Sequence, residues 1–208
     1  MARDTRNRIL EYALRMFNEQ GEPNVTTNHI ADEMGISPGN LYYHYRNKDD
    51  IIEHLFGAYE QRMGDALQVP EDRLPELEDV WMQLHLVFEC IWDYRFLYRD
   101  IVDILARNRR LRMRFSRILK RADTQAHAVM SGLVKGGVMR ASPAELQAAA
   151  TNILVIATFW LNYAAVHGDT DEHTAIRDGI VQVMMLFAPL LRDAERLHLH
   201  NLTQAYKD

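Results

Sequence analysis

The stretch GISPGNLYYHY, residues 35–45, holds the side chains best suited to reading another molecule. Ser37 suits a helix N-cap and Pro38 the first helical position, so a short helix starts here. Leu41 and Tyr45 fall on one side of it as inward anchors. Asn40, Tyr43 and His44 are left outward. An amide, a phenol and an imidazole on the leading edge of a short helix have the reach and the hydrogen-bonding capacity to meet base edges in a major groove. A few residues on, Lys48 sits in the first turn of the next helix, where the helix dipole disfavours a cation. An anion such as a phosphate over that helix end would account for it; the other reading is a solvated surface lysine.

Catalytic chemistry finds no comparable constellation. The sequence has no nucleophile elbow, phosphate-binding loop, dinucleotide fingerprint or zincin motif. Nine histidines are scattered, and a His198-x-His200 pair would point about 200° apart on a helix, which is poor for a metal. His85 and His127 are candidate pocket groups, though a lone helical histidine is more often structural or exposed. Neither a cofactor nor a metal is expected, and the protein is read as not an enzyme. A single cysteine, Cys90, leaves no disulfide framework and fits a reducing cytoplasm.

The elements that must position these groups are helices. No segment alternates apolar and polar residues for long, whereas helical stripes recur throughout. The fold class is therefore all-α: a three-helix N-terminal domain with a helix-turn-helix at about 26–45, and a larger helical domain. Gly35 permits the tight turn between the second and third helices. The boundaries drawn are 1–48, a connecting helix 49–67, and 68–208. The acidic, two-proline stretch QVPEDRLPELED around 68–79 is the linker. Beyond it the stripes give helices at about 75–94, 97–106, 109–136, 143–168 and 172–199, the last kinked or divided by Pro189. Gln147 to Val166 carries no charge and has spanning length. Its polar residues and short apolar core favour a buried helix over a membrane span.

With the helices laid out, TTNHIADEMGISPGNLYYHYRNKDDII and the preceding ILEYALRMFNEQG helix together resemble the N-terminal domain of TetR-type bacterial transcriptional regulators. Thr27, Ile30-Ala31, Gly35-Ile36, Leu41-Tyr42, His44-Tyr45, Lys48 and Ile51 carry the resemblance, which covers residues 5–60. It implies binding of double-stranded DNA at a palindromic operator by a homodimer. It also implies site roles for Thr27 and Asn28 at the start of the second helix, for Pro38, Gly39 and Asn40 at the leading end of the recognition helix, for Tyr42, His44 and Lys48 on phosphates, and for Tyr43 against bases. The competing readings are packing for Tyr42 and His44 and a simple helix cap for Thr27. Residues 1–48 carry six Lys/Arg and six Asp/Glu, so binding is expected to rest on placement and dimerisation more than on bulk charge.

For the remaining residues the resemblance implies dimerisation through the last two long helices and an enclosed effector pocket. The uncharged helix and the stripe Ile176, Ile180, Val183, Met184, Phe187 are the expected seam, with Ala148, Ala149 and Ala150 permitting close approach; burial within one subunit is the alternative. Candidate effector contacts are Phe88, Trp92, Phe96, Arg99, Met113, Phe115, Met130 and Trp160, and the effector is expected to be apolar or amphipathic. The string IWDYRFLYRDIVDIL is read first as an internal salt-bridge network and second as an arginine site for an anionic head group. RNRRLRMRFSRILKR, eight cations in fifteen residues, is read as a solvated face, with auxiliary phosphate or effector contact as the rarer reading. The function expected is a repressor released by its effector. The alternatives are a regulator that is constitutive or controlled by a protein partner, and a helical lipid carrier or enzyme.

Overall fold

A computed structural model of the chain describes residues 2–69, 73–168 and 171–205. Within them lie eleven α-helices: α1 (Ala2–Gln20), α2 (Thr27–Glu33), α3 (Pro38–His44), α4 (Lys48–Ala66), α5 (Leu77–Asp93), α6 (Arg95–Arg99), α7 (Ile101–Arg107), α8 (Arg109–Lys135), α9 (Pro143–His167), α10 (Glu172–Phe187) and α11 (Asp193–Ala205). Short 3-10 helices occupy Glu22–Asn24 and Ala188–Leu190, and no β-strand occurs among the described residues. Part of the expected linker, residues 70–72, lies outside the described residues. Pro189 divides the last helical region inside the second 3-10 turn, because its ring cannot continue α10.

The chain forms two compact units: Met1–Arg62 with Asp93–Arg114, and Met63–Trp92 with Phe115–Asp208. A cut near residue 67, drawn from sequence, leaves α6 and α7 with the second domain; in the structure they fold with the first unit.

Within the first unit, the reason is a clasp on α1. Asn18, only 6% exposed, donates from Nδ2 to the Asp93 carbonyl at 2.7 Å and accepts the Phe96 N–H at 3.1 Å. That N–H is an orphan donor of the first turn of α6, so Asn18 acts as a cap supplied from another helix. Arg99 donates to the Asn18 carbonyl at 2.9 Å, and the Phe96 ring meets Phe17 at 5.3 Å. The Tyr98 and Tyr59 hydroxyls share a buried hydrogen bond of 2.6 Å. One helix expected at 97–106 is thus two, broken at Asp100, whose ψ of 22° leaves the α conformation.

The second unit is built around α5, α9 and α10. Ala149, Ala150, Ile153, Leu161 and Ala164 form the buried stripe of α9, and the Trp160 indole N–H donates to the Ala175 carbonyl at 2.8 Å. Gly179 on α10 lies directly against the Phe88 ring of α5. Ile176, Ile180, Val183, Met184 and Phe187 are all buried inside the single chain. The α10 stripe expected at a subunit seam is consequently core of this unit, and so are Ala149 and Ala150. By length and composition α9 could cross a membrane, and 28% of its apolar window is buried; one stripe of it packs within the second unit.

Candidate nucleic-acid interface

The second and third helices owe their start points to side-chain caps. Thr26 is the N-cap of α2 and forms a reciprocal box with His29: the His29 N–H reaches the Thr26 hydroxyl at 3.2 Å, and the Thr26 N–H reaches His29 Nδ1 at 3.4 Å. Thr27 is therefore not the cap. Its hydroxyl turns toward α3, where it pairs with the Tyr42 hydroxyl at 2.9 Å. Met34 and Gly35 close α2, and Gly35 takes φ +65°, a left-handed turn with open space around it. Ser37 then caps α3 by accepting the Asn40 N–H at 3.2 Å, with Pro38 in the first turn.

Seven residues are too few for a stable isolated helix, so packing must hold α3. Leu41 is fully buried and Tyr45 is 1% exposed; burying a leucine contributes about 2 kcal/mol. The Tyr45 hydroxyl donates to the Arg6 carbonyl at 3.1 Å. Burial raises its pKa, against the lowering influence of Arg6. With that face anchored, Pro38, Gly39 and Asn40 are exposed at the leading end. Tyr43 is 80% exposed and stands edge-on to the His44 ring, while His44 is half-buried and Asn28 exposed. Thr27, Asn28, Pro38, Gly39, Asn40, Tyr42, Tyr43 and His44 thus all belong to one α2–turn–α3 motif.

Lys48 is not the freely solvated lysine of the second sequence reading. Its ammonium lies 2.8 Å from Oε1 of Glu22 and donates to the Glu22 carbonyl at 3.0 Å. Its side chain is partly exposed, and its ammonium already has partners within the chain. Glu22 is fully buried, and its Oε1 also lies 2.7 Å from Arg107 at the end of α7. Sequence reasoning passes over Glu22 because a glutamate between Gly21 and Pro23 reads as an exposed turn residue. Arg107 stands in the sequence as one of a run of cations, with nothing local to single it out.

Other cations of that run have specific partners too. In the first unit Arg110 reaches Glu53 at 3.1 Å. Arg114 reaches Glu60 at 2.7 Å and lies over the Phe56 ring. In the second unit Arg121 donates to the Gly64 carbonyl at 3.0 Å. Glu53 and Glu60, two turns apart on α4, meet cations on α8, a complementarity invisible until both helices are placed.

The eight candidate effector residues are divided between the units. In the first, Phe96 is fully buried, Arg99 holds Asn18, and Met113 is 50% exposed. In the second, Phe88, Phe115 and Met130 are buried core and Trp92 is half-buried. Trp160 lines a surface hollow of about 310 Å³ with Val155, Ile156, Phe159, Tyr163 and Gln182. A polar cleft of about 400 Å³ in the first unit is lined by Asn18, Arg62, Asp93 and Arg95 among others. No cluster of metal-ligating side chains occurs among the described residues.

Two family models match: one described as "Bacterial regulatory proteins, tetR family" over residues 9–55, and one described as "TetR: Bacterial transcriptional repressor" over residues 58–199. The chain belongs to the TetR family. A family member of Marinobacter aquaeolei VT8, solved by crystallography, is 36% identical, covers 97% of this chain and 98% of its own, and superposes with a TM-score of 0.90. The regulator AcrR of Shigella flexneri is 30% identical over 84 residues, 38% of this chain and 39% of that protein. An HTH-type regulator of Staphylococcus aureus strain MRSA252 is 44% identical over 105 residues, 48% of this chain and 55% of that protein. The chain thus spans only about two fifths to a little over half the length of these two curated relatives. The SmeT–triclosan complex shares the fold at 21% identity, with a TM-score of 0.61.

Proposed function

We propose that this TetR-family chain is a cytoplasmic, sequence-specific transcriptional regulator that binds a palindromic operator as a homodimer and represses until an effector releases it. The observation that carries the DNA reading is the division of α3: Leu41 and Tyr45 buried, with Asn40 and Tyr43 exposed on its outer edge. Asn40 and Tyr43 read base edges. Asn28, His44 and the Thr27–Tyr42 hydroxyl pair hold phosphates, and Pro38 with Gly39 lets the backbone approach the duplex closely. Lys48 adds a phosphate contact at the head of α4.

Two copies join through the outer face of α9, where Val155, Phe159, Tyr163 and Val166 stand exposed, together with Met185 of α10. These replace the buried α10 stripe as seam residues. Two-fold pairing supplies the two half-sites of a palindrome. The effector is apolar or amphipathic, in keeping with SmeT, whose solved structure is a complex with triclosan. It acts by binding more tightly to the form whose recognition helices miss the half-site spacing.

Selection of bound duplexes from random DNA by the purified protein tests this. An enriched inverted repeat is the expected result, and a folded dimer that enriches nothing would remove the DNA reading.

A further inference from the structure

The buried Glu22 carboxylate joins two elements of the first unit that are far apart in sequence. Lys48, at the head of α4, and Arg107, at the end of α7, place their cationic groups 2.8 and 2.7 Å from the same oxygen, Oε1. The Arg107 Nε also lies 3.7 Å from Asp49. Asp100, between α6 and α7, lies near the Glu22 backbone N–H and carboxylate. Neither Glu22 carboxylate oxygen completes a directed hydrogen bond, so charge holds the cations to the carboxylate, and Lys48 is also tied by its bond to the Glu22 carbonyl.

A buried carboxylate stripped of all cations is strongly destabilising, whereas one close cation already neutralises it. Of the two, Lys48 is the one at a helix N-terminus, where its charge is disfavoured. Its side chain keeps 27% exposure and hangs on a flexible stem. Arg107 is the better permanent partner, steadied by Asp49.

We propose that Arg107 is a positioning residue for DNA binding: by holding Glu22 it allows Lys48 to leave that carboxylate for an operator phosphate without stranding a buried charge. This rests on the DNA reading above and on the phosphate role of Lys48. Removing Arg107 makes Lys48 the sole strong counter-charge of Glu22 and pins it there. Displacing α7 has the same effect, so the position of α7 sets whether Lys48 reaches its phosphate.

The test is the salt dependence of binding to the selected operator duplex, for wild type, Lys48→Met, Arg107→Met, Glu22→Gln, and Arg107→Met combined with Glu22→Gln. Every phosphate that is no longer neutralised lowers the slope of log affinity against log salt by about 0.9. Lys48→Met and Arg107→Met should each lower it by about that much per subunit, and adding Glu22→Gln to Arg107→Met should restore it, because no carboxylate then retains the lysine. A slope that Arg107→Met leaves unchanged while Lys48→Met lowers it overturns the proposal. So does a lowered slope that Glu22→Gln fails to restore, which would mark Arg107 as a direct phosphate ligand or a structural prop. A slope untouched by Lys48→Met removes the phosphate role itself, and the relay with it. Glu22→Gln alone is isosteric and readable even where Arg107→Met does not fold. It should keep the wild-type slope, and a lowered one overturns the relay.

Discussion

Among single residues, Asn40 is exposed on the leading edge of α3 and gives only its backbone N–H to the Ser37 cap. Asn40→Ala should therefore leave the melting temperature nearly unchanged and relax preference at one base pair of each half-site, at about 1–3 kcal/mol of discrimination. Repeating the duplex selection with the variant reads this directly; an unchanged consensus would remove Asn40 from base readout. Asp100 is a different case. Burial, with the nearby charges of Glu22 and Asp103, raises its pKa above the ordinary 3.8, against the pull of Arg107 and the Glu22 N–H. Below the unfolded pKa both states are protonated and no cost exists. As pH rises the unfolded chain ionises first, so stability is lost up to the folded pKa and stays lost above it. Asp100→Asn should melt higher than wild type at neutral pH, with the difference shrinking toward about pH 4. A constant difference across that range would show that ionisation of Asp100 is not its cause.

At the scale of elements, the clasp of Asn18 on α6 explains what the string IWDYRFLYRD does in this fold. Its aromatic residues Phe96 and Tyr98 build core with α1 and α4, and Arg99 reaches a backbone carbonyl of α1. Asn18→Ala leaves the Phe96 N–H buried without its partner, which costs about 1–3 kcal/mol. Chemical denaturation should show that loss; a smaller one would mean that water reaches the site. The approach of α10 to α5 gives a second check. A methyl group at Gly179 would overlap the Phe88 ring, so Gly179→Ala should destabilise by about 1–3 kcal/mol. Gly179→Ala combined with Phe88→Leu should recover part of it.

For the molecule as a whole, the exposed apolar face of α9 is the seam of the proposed two-fold pairing. Phe159 is 46% exposed and Tyr163 55%, and neither packs as the core residues of the same helix do. Phe159→Glu would place a charge in the seam. Sedimentation should find a monomer with much weakened operator affinity, because the half-sites would no longer be bound together. A dimer that survives this substitution would take α9 out of the interface.

Helical periodicity, caps and breakers are legible along the chain because they are local. Ser37-Pro38 and Ser142-Pro143 begin helices as their residue types require, Pro189 ends one, and the inward anchors Leu41 and Tyr45 are buried. The all-α class and the membership of the family follow from the same short-range patterns. Pairings between helices distant in sequence are not legible. A glutamate beside a proline gives no sign that Lys48 and Arg107 will enclose it. A run of arginines does not name Glu53 and Glu60 as partners, and an apolar stripe such as that of α10 looks alike whether it faces its own subunit or another. Periodicity says which side of a helix is buried. Only the tertiary packing decides against what, since the hydrophobic effect is non-directional and the choice among apolar or ionic partners is made by which helices the chain brings together.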